Sequence, residues 1–355
     1  TMKELLLEKG CLTHLPESIG KLINLRGIQL DDHKLKSLPD SICQLKIIYL
    51  CLDGNQLTEL PTNIGNLTEI HSLRLTGNKL TLLPDSIGNL KNLGSFWLHR
   101  NQIKQLPDSI GNLSNLYQLF LQNNNLTSLP ESIGNLSKLK VLKLSANKLK
   151  SLPESFGNLT NLKELYLDGN QLSKLPNSIG KLTNLRELWI NNNNLTELPD
   201  SICDMKNLQK LVISNNNIFN LPENIGQLIN LHTLDLRDNI IKDLPESLSE
   251  LINLQELHLG YNEISRLPKN FGNLKNLTRF YFQKNWLTVI PDDFSKLENL
   301  THLDFTQIQL GSISNVLLKL PKLKYLWIKP DWWQEKRDES VLQELEKNGC
   351  VIYLH

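Results

Sequence analysis

Leu162-Lys-Glu-Leu165-Tyr-Leu167-Asp-Gly-Asn170-Gln-Leu172-Ser-Lys-Leu175-Pro176-Asn-Ser-Ile179-Gly180-Lys-Leu182-Thr-Asn184 is the stretch that decides the fold. In Leu165-Tyr166-Leu167 apolar residues alternate with an outward one, the pattern of a short strand with one buried face. Asn170 follows where the chain must turn, and its amide can bond backbone groups that the turn would bury unpaired. Leu175-Pro176 begins the return. Proline presets its own φ and lacks a donor, which suits a helix start or an extended crossover. The Ser-Ile-Gly-Lys-Leu run after it is too short for a long helix and predicts one turn of 3₁₀ or α-helix. The segment reads strand, turn, short helix, turn.

The same unit recurs along the chain. Thirteen of the fifteen prolines, from Pro16 and Pro39 through Pro61 to Pro291, are 23 residues apart, except for one step of 22 between Pro39 and Pro61. Eleven asparagines keep the same register, from Asn55, Asn78 and Asn101 to Asn262 and Asn285. A fixed period in this range means one structural unit copied in series. A lone copy cannot bury its apolar set, so stacking must supply the burial and join the strands into one parallel sheet in an elongated domain. The stacked asparagines are expected to bond along the pile, which makes them structural.

The spacing L-x-x-L-x-L-x-x-N-x-L, followed by x-x-L-P-x-x-I-G-x-L-x-x, resembles the leucine-rich-repeat family, in fourteen consecutive copies over residues 2–322. The 23-residue Leu-Pro-x-Ser-Ile-Gly form is similar to the intracellular Ras-group repeats of signalling scaffolds and to tandem-repeat proteins of bacteria. The resemblance implies an α/β solenoid: a curved right-handed coil with its parallel β-sheet on the concave face and short 3₁₀ or α turns on the convex face. It also implies a non-enzymatic protein-binding surface on the concave face, with no cofactor.

Both ends depart from the pattern. Gly10 and His33 fill the first two Asn positions and Ile308 the last, where Ser314 also replaces the proline. Residues 323–355 read as a C-terminal cap of strand, helix and strand. Val341, Leu342 and Leu345 lie at helical spacing, Gly349 is a helix stop, and Trp332 and Trp333 are expected to cover the end of the core. At the other end Met2, Leu5 and Leu7 already hold core positions. The first strand is therefore an uncovered apolar edge, for which residues upstream of Met2 or self-association would account.

Composition excludes several function classes. The 355 residues carry a net charge of +1, so no basic field favours nucleic acid or anionic membrane. No apolar run approaches a bilayer span. Cys11, Cys43, Cys51, Cys203 and Cys350 have neither zinc spacing nor disulfide density and read as small buried thiols. They favour a cytoplasmic setting, with export of a bacterial protein left open should a leader precede Thr1. Cys43 and Cys203 stand where other copies carry Gly. Asn-Leu-Thr/Ser sequons such as Asn66, Asn112, Asn135 and Asn158 follow from the repeat itself. No phosphate loop, zinc pair or nucleophile elbow appears.

Function is expected where the copies differ. The outward residue of each strand, taken copy by copy, includes Arg74, Trp97, Phe120, Lys143, Tyr166 and Trp189. Nothing in the repeat demands aromatics there. His99, Gln122, Asp168 and Asn191 flank them two residues on. An aromatic patch with a polar rim has the composition of a protein-binding hot spot, and these ten residues are the candidate partner-binding set. Lys143 can make a cation–π contact or meet an acidic group of the partner. Recognition of a carbohydrate or other small ligand by the same aromatic row is the alternative. Asp235, His258 and Asp304 share the column farther along, where a metal or acid–base site is conceivable. Solvated polar positions are the expectation there.

Overall fold

The computed structural model describes residues 2–311, 313–328 and 336–354. It divides into two units, Thr1–Leu172 and Ser173–His355. In the first unit eight strands pair in chain order, all parallel: β1 (Glu4–Leu6), β2 (Gly27–Gln29), β3 (Tyr49–Cys51), β4 (Ser72–Arg74), β5 (Ser95–Trp97), β6 (Gln118–Phe120), β7 (Val141–Lys143) and β8 (Glu164–Tyr166). The second unit repeats the arrangement with β9 (Glu187–Trp189), β10 (Lys210–Val212), β11 (Thr233–Asp235), β12 (Glu256–His258), β13 (Arg279–Tyr281), β14 (His302–Phe305), β15 (Tyr325–Ile328) and β16 (Val351–Leu354). Helix α1 (Lys336–Lys347) lies between the last two strands and buries Val341, Leu342 and Leu345. Gly349, at φ 88°, ends it. Trp332 and Trp333 lie outside the described residues.

Each strand is three or four residues long, and the return carries a 3₁₀ turn. Pro107 shows how the turn starts. It is extended, at φ −69° and ψ 152°. Its carbonyl accepts from the Ile110 amide, and the Ile110 carbonyl accepts from Leu113, the i to i+3 pattern of a 3₁₀ helix. Leucines and isoleucines between the strands and the turns are sealed from solvent: Leu116, Leu119, Leu121, Leu126, Ile110 and Leu113 are all 0% exposed. In the second unit Phe271, Phe280, Phe282, Phe294 and Phe305 form one fully buried aromatic cluster.

The asparagine expectation is met bond by bond. The Asn124 amide donates to the carbonyls of Leu98 and Leu121 at 3.0 Å each, and its oxygen accepts from the Ile103 amide at 3.0 Å. Asn78, Asn101, Asn147 and Asn170 in the first unit do the same, as do Asn216, Asn239, Asn262 and Asn285 in the second. Each ties its own copy to the preceding one. The residue before each asparagine is left-handed: Arg100 at φ 57°, Ala146 at 55°, Tyr261 at 59° and Gly77 at 67°. Three copies place glycine there and four place asparagine or aspartate, which tolerate this region; at Arg100, Ala146, Tyr261 and Lys284 the ladder overrides the backbone preference.

The 22-residue step is absorbed on the outer side. Strand spacing is 23 from β3 to β4 (Tyr49 with Ser72) and 22 from β2 to β3 (Gly27 with Tyr49). In the regular copies the residue after the 3₁₀ turn has ψ near 60°, as at Leu90 with ψ 61°; Leu45 is extended with ψ 153° and omits the following turn. The strand register survives because the deletion falls outside it.

A second rule links consecutive copies. A Cβ added at Gly111 would lie 2.2 Å from the Ser132 carbonyl oxygen, and the same clash recurs from Gly88 to Ser109 and from Gly134 to Ser155. Where Cys43, Cys203 and Ser249 fill the glycine position, the next copy replaces that serine by Asn63, Asn224 and Asn270. Those three asparagines take φ between −97° and −104°, and the 3₁₀ turns after them, Ile64–Asn66, Ile225–Gln227 and Phe271–Asn273, shrink to three residues. The backbone has moved away to admit the extra side chain.

Two stability measurements test this architecture. Asn124→Leu leaves two buried carbonyls and one buried amide unpaired, and should cost on the order of 3 kcal/mol by calorimetry; an unchanged melting temperature would remove the ladder from the account. Gly111→Ser should destabilise by about 2 kcal/mol or more through overpacking, and adding Ser132→Asn should recover most of that loss. A double variant no better than the single one contradicts the pairing rule.

Candidate functional site

In the first unit, strand pairing sets Arg74, Trp97, Phe120, Lys143 and Tyr166 side by side in one row. They interleave cations with rings. The Arg74 guanidinium stands over Trp97 at 5.3 Å from the ring centroid, Trp97 meets Phe120 at 4.3 Å, and the Lys143 ammonium lies 5.7 Å from Phe120 and 4.6 Å from Tyr166. These spacings follow from the interstrand distance of a parallel sheet, about 4.8 Å. The row is less open than an exposed aromatic patch. Phe120 is 7% exposed, and Arg74, Trp97, Lys143 and Tyr166 are half-buried. Flat neighbours and alkyl stems cover much of each ring.

Polar groups hold the row in place. Asp53 accepts from the Arg74 guanidinium at 2.5 and 2.8 Å and from the Thr76 amide at 2.7 Å. The Trp97 indole donates to Ser95 at 2.7 Å, and Ser95 donates to Gln118. Tyr166 donates to Glu164 at 3.3 Å. Of the flanking residues, His99 pairs with the Thr76 hydroxyl at 3.3 Å and Asp168 accepts from Ser145 at 3.2 Å. The carbonyl oxygen of the Gln122 side chain is buried without a partner among the described residues. Burial holds the His99 imidazole below its ordinary pKa, against the opposing pull of Asp53. Asp53, Ser95 and Gln118 were not among the candidates from sequence. Period-two alternation would have found Ser95 and Gln118, which begin strands and share the outward face.

Trp189 and Asn191 belong to the second unit. The Trp189 indole donates to Glu187 at 3.1 Å, and the Lys210 ammonium lies 4.3 Å from its ring centroid. Asn191 accepts from the Ser214 amide and hydroxyl at 2.8 and 2.9 Å. Further along the same sheet, His258 stacks on Tyr281 at 4.7 Å, and Trp327 stacks on Tyr353 at 5.0 Å.

Asp235 and His258 are register neighbours, but Asp235 is 5% exposed and ion-paired with Arg237 at 2.7 Å. Asp304 accepts from the Thr306 amide and hydroxyl. Among the described residues no group of three or more His, Cys, Asp or Glu side chains could hold a metal ion. Cys11 is exposed, contrary to the expectation of a buried thiol. Burial pushes the thiol of Cys43 up to about 12 and those of Cys51, Cys203 and Cys350 up to about 11, which keeps them protonated and inert. Among the described residues no helix is long and apolar enough to cross a membrane.

The repeat pattern matches the model of a leucine-rich repeat region over residues 46–121, 118–194 and 223–352, and a second leucine-rich-repeat model over 184–205 and 207–228. The chain belongs to the leucine-rich-repeat family. Among solved structures it is similar to a leucine-rich-repeat protein of Leptospira interrogans, at 33% identity and a TM-score of 0.77 over 97% of this chain and 93% of that one. It is also similar to a plant peptide hormone receptor solved in complex with RGF2, at 33% identity and a TM-score of 0.81 over 92% of this chain and 56% of the receptor. The Drosophila Toll protein, solved in complex with Spatzle, matches at 25% identity and a TM-score of 0.80 over 90% of this chain and 46% of its own length. No curated protein matches the sequence.

Burial also holds His258 below its ordinary pKa of 6.5, while Asp235 and Glu256 pull it up and Arg237 pushes it further down. The unfolded chain therefore takes a proton that the folded one refuses, and stability that is complete above about pH 6.5 is lost as the pH falls below it. Melting temperature measured between about pH 7 and 5.5 should fall, and His258→Gln should flatten the slope. An unchanged slope would show that His258 carries its proton in the folded state.

Proposed function

We propose that the chain is a non-enzymatic interaction scaffold that binds a protein segment on its sheet face, at the row from Arg74 to Tyr166. One observation carries this reading. Lys143 lies between two aromatic faces, half-buried, with no carboxylate partner among the described residues, whereas Arg74 in the same row is neutralised by Asp53. A half-desolvated cation flanked by rings favours an incoming carboxylate with apolar side chains beside it. The Trp97 edge and Tyr166 offer the apolar contacts. The receptor neighbours support the class of function, since two of them were solved holding RGF2 and Spatzle. The fold itself does not choose the partner. Sugar stacking on this row is disfavoured, because Arg74 and Lys143 already lie against its ring faces.

The test begins with affinity capture of partners on the full chain, followed by quantitative binding of the captured protein. Lys143→Glu and Trp97→Ala should each weaken binding by about tenfold or more, and Lys143→Glu should leave the melting temperature nearly unchanged. Binding that survives both substitutions, or a fall in melting temperature without loss of binding, overturns the proposal.

A further inference from the structure

The asparagine ladder stops in the second unit, and a cavity opens at that point. In the regular copies the residue after the asparagine bonds back to the preceding copy: Ile240 to the Ile218 carbonyl, Glu263 to Ile241 and Trp286 to Ile264, at 2.9 to 3.1 Å. The amide two residues after each asparagine also donates to the next asparagine's side-chain oxygen, as Ile264 donates to Asn285. Ile308 occupies the next asparagine position and has no oxygen to offer the Leu287 amide. The bond from the residue after the asparagine position, here Gln309 to the Leu287 carbonyl, is also missing among the described residues, and the loops are first joined at Gly311 to the Thr288 carbonyl at 2.9 Å, where Lys104 meets Thr81 and Thr127 meets Lys104 in the regular copies. Between the two loops lies a cavity of about 610 Å³ lined by Lys284, Asn285, Trp286, Thr288, Gln307 and Gln309.

Its chemistry differs from that of the sheet face. Trp286 is 57% exposed, and among the described residues no ring or cation stacks on its indole. The side chains of Thr288, Gln307 and Gln309 are exposed and make no hydrogen bond among the described residues. Asn285 is engaged in the ladder, and the Lys284 ammonium is held over Tyr261, 4.5 Å from the ring centroid. Among the described residues no carboxylate lines the cavity. What remains is an open aromatic platform beside two amides and a hydroxyl, each able to donate and to accept.

We propose that this cavity binds a neutral saccharide, with a sugar ring face against the Trp286 indole and its hydroxyls bonded to Thr288, Gln307 and Gln309. Sugar hydroxyls donate and accept as the amides do, and the ring's C–H face is apolar as the indole is. A cavity of this size is within the usual range for small-ligand sites. An anionic ligand or a nucleotide would need free cations for its charge, and the single lysine here is occupied. The site is independent of the row from Arg74 to Tyr166.

The full chain is to be screened on an array of neutral and anionic oligosaccharides and nucleotides, and the tightest neutral binder titrated calorimetrically. Binding should weaken by about tenfold or more in Trp286→Ala and in Gln307→Leu, and stay unchanged in Trp97→Ala and at high salt. Ile308→Asn restores an oxygen for the Leu287 amide and draws the loops together, so it should abolish binding without touching the lining or lowering the melting temperature. The proposal is overturned if no neutral oligosaccharide is retained, or if Trp286→Ala binds like the native chain. It is also overturned if Trp97→Ala removes the binding, or if only charged ligands bind and salt elutes them.

Discussion

Everything else in this molecule depends on one asparagine per copy. A strand of three residues that turns sharply inward leaves carbonyls and amides facing an apolar interior, where an unpaired polar group is costly. The asparagine side chain satisfies two carbonyls and one amide, and because one carbonyl and the amide belong to the preceding copy, the same bonds join copies along the pile. This requirement is strong enough to hold arginine, alanine, lysine and tyrosine in the left-handed region one residue earlier. The strands stay short because each must end where its asparagine begins.

The row on the sheet face is a consequence of that regularity. With every copy held in the same register, a side chain meets its equivalent in the next copy at one interstrand spacing. Residues 23 apart in sequence thus become a continuous stack of guanidinium, indole, phenyl, ammonium and phenol. Where the regularity fails at Ile308, the adjacent loops separate and a polar cavity takes the place of close packing. The face and the cavity are the intact and the interrupted outcomes of one ladder.

Most of the repeat was legible because its signals are local or strictly periodic. Leu-Pro marks the return, alternation marks the strand, and Asn marks the turn. The membership of the row was also legible, since a fixed period turns sequence spacing into spatial adjacency. The burial of Phe120 was not, because it depends on how far Trp97 and Lys143 lean across it. Nor was the neutralisation of Arg74, because Asp53 lies in another column and reaches it by side-chain length. The exchange of glycine and serine for cysteine or serine and asparagine was written in the sequence at Cys43 with Asn63, Cys203 with Asn224 and Ser249 with Asn270. Its meaning appears only once the outer turns are seen in contact.

The sequence by itself determined the copy, the register and the order of side chains on the sheet face, because a 23-residue period leaves one way to stack strands that each have a single apolar side. Tertiary structure decided which of those side chains are reachable, which charges are already paired and where a loop parts from its neighbour. Those outcomes depend on side-chain reach and on distances between copies of about 5 Å, and no pattern of residue types records them.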